Sequence, residues 1–120
     1  MRFVRTLRVG VAELSGGSPL LIAGRPAVFL RAVTDAPRVQ LNVRLLDIAP
    51  DGTRQLVTRG TDMLDATADI TIPTYGSVWQ AAAEHVLQLE ITNVDSPYLT
   101  PGRVASVTQI SDVRLELPIR

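Results

Sequence analysis

Cysteine is absent from this 120-residue chain, which excludes disulfides, a thiolate nucleophile and cysteine-ligated metal, and leaves the redox compartment open. Lysine is absent as well: all twelve basic residues are arginine, so Schiff-base and P-loop lysine chemistry are ruled out. There is one histidine, His85, and only five aromatic side chains. No apolar run approaches the roughly 20 residues that cross a bilayer. The N-terminal stretch is basic, but Arg5, Arg8 and Glu13 interrupt it, so it carries no signal-peptide core and no export address of its own; a larger parent could still be exported. Net charge is zero, twelve acidic residues against twelve basic. That balance leaves no electrostatic footprint for nucleic acid or an anionic membrane.

What is present is strand-like. Residues 1–120 fit one domain, able to bury roughly two-thirds of the surface its unfolded chain exposes. Phe3, Leu7, Val9 and Val11 alternate with polar residues and predict a first strand ending near Leu14. Residues 15–19, SGGSP, break it. Strands are expected at 20–22 and 27–33, around Gly24, Arg25 and Pro26. The clearest segment is 39–60. Val39, Leu41, Val43 and Leu45 alternate with Gln40, Asn42 and Arg44, one face buried and one wet. Pro50, Asp51 and Gly52 supply the turn, and a second strand passes through Leu56 and Val57.

Asp62, Asp65 and Asp69 around Met63 and Leu64 predict a loop with one helical turn, followed by a short strand through Ile70 and Ile72 that Pro73 stops. Residues 79–85 are the one expected helix, on the propensity of Ala81, Ala82, Ala83 and Glu84. Strong strands follow at Val86, Leu87, Leu89 and Ile91 and at Val113, Leu115 and Leu117. Seven or more short strands with Gly/Pro turns and almost no helix predict an all-β, antiparallel sandwich or barrel.

The words of these strands are also familiar. LLDIAPDG at 45–52, closely followed by VTRG at 57–60, resembles the non-catalytic C-terminal β-sandwich of X-Pro dipeptidyl-peptidases and cocaine-esterase-like (CocE/NonD) hydrolases. HVLQLEIT at 85–92 resembles that family's "G-H-x-L-R-L-E-I" strand, with Glu84 where glycine is usual. NVDSPYLTP at 93–101 and VRLELPIR at 113–120 resemble the segments that follow it. The resemblance covers roughly the last two-thirds of the chain. It implies a jelly-roll sandwich of the galactose-binding-like type, forming the C-terminal part of a larger hydrolase whose nucleophile, acid and histidine lie in a separate α/β-hydrolase domain. The implied partners are that domain and further copies in an oligomer.

Catalytic groups are missing. No G-x-S-x-G elbow is present: Ser18 lies in GGSPL and Ser77 in YGSVW. His85 has no partner motif and reads as a strand-edge histidine bonded to backbone. Asp62, Asp65 and Asp69, or Asp51, Asn93 and Asp95, could offer oxygens to Ca²⁺, but neither set has the spacing of a dedicated loop, so they read as solvated turn carboxylates. Asp47, Asp51 and Arg59 read as ordinary turn chemistry that sets strand register. Arg44 and Arg114 read as parts of a solvated outer face. No residue set calls for a metal or cofactor.

Tyr75, Trp79 and Tyr98 are the candidate ligand or domain-contact surface. Amphipathic rings of this kind could stack on a sugar, although in irregular segments they more simply anchor a loop, with Trp79 covering one end of the core. The leading expectation is therefore a non-catalytic accessory sandwich that packs on a hydrolase domain and aids its active-site architecture or oligomerisation. The alternative is a carbohydrate-binding module with a galactose-binding-like fold. A self-contained hydrolase based on His85 ranks last.

Overall fold

The computed structural model describes residues 2–34, 39–64, 68–95 and 108–120. Its elements are β1 (Arg2–Gly10), α1 (Val11–Ser15), β2 (Leu20–Gly24), β3 (Ala27–Thr34), β4 (Val39–Ile48), β5 (Arg54–Leu64), β6 (Ala68–Pro73), β7 (Ser77–Ala81), β8 (Val86–Asp95) and β9 (Thr108–Glu116). All strand pairs are antiparallel. A four-stranded sheet runs β1-β8-β4-β5, and opposite it lie a three-stranded sheet, β6-β3-β9, and the pair β2-β7. The chain leaving β9 ties the two smaller sheets together: Ala23 N–H donates to Pro118 O at 2.8 Å, and Arg120 N–H to Leu21 O at 3.0 Å.

Alternation decides which way each strand faces. Leu41, Val43 and Leu45 of β4 and Leu87, Leu89 and Ile91 of β8 point inward and are buried. They meet Val28, Leu30 and Ala32 of β3 and Ile72 of β6 at one end. At the other end they meet Leu20 and Ile22 of β2, Ala81 of β7, and Val11. Two sheets sharing one interior is the definition of a sandwich. Each fully buried aliphatic side chain contributes roughly 1.5–3 kcal/mol relative to exposure.

The expected hairpin forms between β4 and β5. Gly52 N–H returns to Ala49 O, Ala49 N–H pairs with Thr53 O, both at 2.9 Å, and Gly52 sits at φ 91°, where a Cβ would be strained. Asp51 Oδ1 accepts the Thr53 N–H at 2.9 Å, which holds its carboxyl below the ordinary value. Beyond the turn, the β4–β5 register shifts between Leu45 and Leu46, with Val57 as the extra residue.

Three expectations are corrected. The first strand stops at Gly10, and residues 11–15 close one helical turn, ended by Gly16 at φ 74°; five residues are too few for helical periodicity to show. The region around Asp62 is strand: β5 runs through Leu64 and β6 begins at Ala68. The helix expected at 79–85 is absent. Ser77–Ala81 is a strand paired residue for residue with β2, and a turn closed by His85 N–H on Ala82 O follows. Burying Trp79 and Ala81 against β2 outweighs alanine's helix propensity, which is a few tenths of a kcal/mol per residue.

One glycine is demanded by close approach. Residues 73–77 cross over β5, and a Cβ on Gly60 would lie 2.4 Å from Pro73 O. The crossing is fastened by Tyr75 N–H on Arg59 O (3.0 Å), Thr58 Oγ1 on Tyr75 O (2.8 Å) and Ser77 Oγ on Val57 O (3.1 Å). Thr74 is anchored beneath it, its Oγ1 donating to Pro26 O at 2.6 Å. Gly60→Ala is expected to lower stability by about 1–3 kcal/mol, as overpacked sites do, read by urea denaturation. Unchanged stability would mean that the crossing is not seated as described.

Candidate functional site

The most unusual chemical grouping lies at the end of the interior where β4, β7 and β8 converge. Alternation carries Asp47 onto the core-facing side of β4, opposite Leu87 of β8, and its side chain is only 3% exposed. A carboxylate there needs donors, because burying it without them costs far more than a fold can spare. It has two. Trp79 Nε1–H donates to Oδ2 at 2.8 Å, and His85 Nδ1 lies 2.6 Å from Oδ1. A carboxylate only accepts, so Nδ1 is the ring nitrogen that carries the proton.

This arrangement corrects two sequence readings. His85 does not rest on backbone through its ring; its partner is a buried carboxylate, while its backbone carbonyl receives the Val11 N–H at 2.9 Å. Asp47 is not turn chemistry either. The signal was available: the alternation Val43, Leu45 continued by two residues puts a carboxylate at a core position. Its partners stand 32 and 38 residues away, which no local pattern can supply.

The His–Asp pair has the orientation seen in nucleophile-activating dyads, in which the other ring nitrogen faces a nucleophile. Among the described residues no serine hydroxyl is bonded to His85: Ser77 Oγ is committed to Val57 O, and Ser15 Oγ to Ser18 O. The grouping is a polar clamp joining β4, β7 and the turn that leads into β8.

On the outer face of the same sheet, Glu90 of β8 is gripped by Arg44 Nη2 at 2.5 Å and Arg54 Nη2 at 2.7 Å, with Gln88 Nε2 at 3.0 Å. Partial burial raises the Glu90 carboxyl. The bond and charge of Arg44, the charge of Arg54 and the Gln88 amide outweigh this and hold it below its ordinary value. Arg114 lies 4.5 Å over the Phe29 ring and 3.3 Å from Glu116.

The candidate calcium ligands can be followed only in part. Asp69 pairs with Arg31 at 3.2 Å, Asp51 serves its turn, and Asp65 and the side chains of Asn93 and Asp95 lie outside the described residues. Among the described residues, no three acidic or histidine side chains gather as a metal site would require. The three candidate aromatics divide. Trp79 is half-buried, packed on the core at the β2–β7 end. Tyr75 is 69% exposed on the crossing over β5. Tyr98 lies outside the described residues.

The fold and the site together define an antiparallel β-sandwich whose only histidine is tied to a buried carboxylate. The chain belongs to the family of X-Pro dipeptidyl-peptidase C-terminal non-catalytic domains, whose family model matches residues 17–108. Among solved structures, it is similar to an α-amino acid ester hydrolase labelled with selenomethionine (17% identity, TM-score 0.75), over 98% of this chain and 25% of that one. It is also similar to an aminopeptidase from the marine sediment archaeon Thaumarchaeota archaeon (16% identity, TM-score 0.70), over 89% of this chain and 23% of that one. The chain thus spans about a quarter of the length of either, and at these identities the likeness is one of fold. No curated protein matches the sequence.

Two outcomes are expected. Trp79→Phe leaves Asp47 one donor short and lowers stability by about 1–3 kcal/mol, measured by circular dichroism in urea because Trp79 is the only tryptophan; an unchanged midpoint would remove the clamp. Glu90 stabilises fully above its unfolded value near 4.5, and the contribution is lost as pH falls through the lower folded value. Glu90→Gln is therefore expected to cost about 0.5–1 kcal/mol at pH 7, and its melting temperature should converge on that of the parent chain well below pH 4.5. A gap that stays constant with pH would contradict the assignment.

Proposed function

We propose that this sandwich packs against the α/β-hydrolase domain of a serine hydrolase, shaping the rim of that domain's active site and supporting contacts between copies in an oligomer. The observation that carries the reading is the family match over residues 17–108, joined to the fit of nearly the whole chain onto one quarter of a hydrolase. The surface is in keeping with it. Leu7 stands on the core-facing side of β1, opposite Leu89, and is nevertheless 46% exposed, as is Leu14 of α1 at 43%. Among the described residues the second layer packs on Val9 of β1 but leaves Leu7 and Leu14 exposed, apolar surface that a neighbour could cover.

The carbohydrate-binding alternative has less support. Trp79, the best stacking residue in the chain, has its indole N–H committed to Asp47, and Tyr75 is the one fully displayed ring among the described residues. Binding of neutral glycans that disappeared in Trp79→Ala would revive that alternative.

Size-exclusion chromatography of the chain mixed with the α/β-hydrolase polypeptide it serves tests the leading reading, together with ester and peptide hydrolysis assayed with and without the sandwich. Co-elution is expected, with lower activity when the sandwich is omitted and no turnover by the sandwich alone. Separate elution with unchanged activity would overturn the proposal. Turnover by the chain alone, abolished in His85→Ala, would do the same.

A further inference from the structure

The outer face of the four-stranded sheet, beside the crossing of residues 73–77, has an unbalanced chemistry. A cleft of about 420 Å³ opens there, bounded by polar side chains that include Asn42, Arg44, Arg59, Thr61 and Tyr75. A second depression of about 290 Å³ shares the wall formed by Arg59, Thr61 and Tyr75 and adds Arg25. The Arg25 stem reaches the crossing, its Cγ lying 3.8 Å from where a Cβ on Gly76 would stand. The two lobes flank one exposed ring.

Among the described residues, positive charge outnumbers negative here. Arg44 and Arg59 are directly opposite in the β4–β5 register, a like-charge cross-strand pair that costs stability. Arg44 shares its single carboxylate, Glu90, with Arg54. Arg59 and Arg25 have no ion-pair partner among the described residues. Among the described residues no aspartate or glutamate lines either lobe; Asp62, farther along β5, is opposite Leu41 and so alternates to the other face. A concave surface of one sign concentrates ligands of the other.

The ring is also prepared for contact. Tyr75 is 69% exposed, yet its backbone is held on both sides, N–H on Arg59 O and C=O on Thr58 Oγ1. A ring displayed on fixed backbone loses little freedom when something covers it.

We propose that this two-lobed cleft binds an acidic polypeptide segment, with carboxylates seated on Arg59, Arg25 and Arg44 and an aliphatic side chain on the face of Tyr75. Two lobes astride a ring suit an extended chain better than a single small anion. Exposed tyrosine and unpaired arginine are also the side chains that most often carry the energy of protein interfaces. The proposal rests on the reading that this domain works docked on another polypeptide, and it names the face and the chemistry.

The test is an NMR titration of the ¹⁵N-labelled chain with the peptide acetyl-Glu-Glu-Leu-Glu-Glu-amide. The all-glutamine analogue and tri-galacturonate run in parallel. The acidic peptide should produce saturable shifts at the amides of Gly60, Thr61 and Tyr75 that weaken with salt, and the glutamine analogue none. Arg59→Ala and Tyr75→Ala should each weaken binding roughly tenfold, as loss of a central interface side chain does. Arg8→Ala removes the same charge from an exposed position on β1 and should leave binding unchanged. Both cleft side chains are exposed; should either alanine variant melt early, Arg59→Gln and Tyr75→Ser replace it. Absence of saturable shifts, shifts that persist in Arg59→Ala, or binding of tri-galacturonate but not of the peptide would overturn the cleft. Undiminished association of the hydrolase polypeptide with the double variant Arg25→Ala/Arg59→Ala would overturn the cleft and leave the domain reading standing; no association with the parent chain, beside peptide binding in the cleft, would do the reverse.

Discussion

A buried negative charge organises one end of this molecule. Asp47 has been drawn to the inner side of a sheet by simple alternation, and the fold must then bring hydrogen-bond donors to it or lose several kcal/mol. One donor comes from β7 across the interior, the other from the turn that leads into β8 beside it. Satisfying the carboxylate therefore sets the position of β2–β7 relative to the four-stranded sheet. An apolar contact could slide by an ångström at little cost; two directed bonds to one carboxylate cannot.

At the other end of the sandwich the described core is aliphatic, built of Val28, Leu30, Ile72, Leu89 and Ile91. The contrast separates two kinds of specificity. Aliphatic packing contributes most of the driving force and is tolerant in detail. The polar clamp adds less energy and more definition, and the ionic grip on Glu90 does on the wet face what the clamp does inside.

Much of this was legible in the chain. The β4–β5 hairpin was plain because alternation and turn residues are local signals and both agreed at Pro50, Asp51 and Gly52. The strand of Leu87, Leu89 and Ile91 was plain for the same reason. Family-like words at 45–52 and 85–92 identified the relatives from a single sequence. What stayed hidden was non-local. Ser77–Ala81 reads as part of a helix until β2 is placed beside it. Asp47 reads as a turn residue until Trp79 and His85 arrive from more than thirty positions away. Gly60 reads as a strand end until Pro73 lies on top of it. In each case the deciding neighbour is distant in the chain, and propensity has no knowledge of it.

The crossing of residues 73–77 over β5 has one more consequence. Open sheet edges are templates on which other strands add, and proteins manage them by covering or charging them. Here one edge of the large sheet is closed by a segment that takes up the Arg59 and Val57 carbonyls for itself. Among the described residues nothing pairs with the outer side of β1, whereas the crossing takes up part of the β5 edge, so a strand added to this sheet meets less obstruction along β1 than along β5. An assembly that builds on this sheet by adding a strand is therefore biased toward the β1 side.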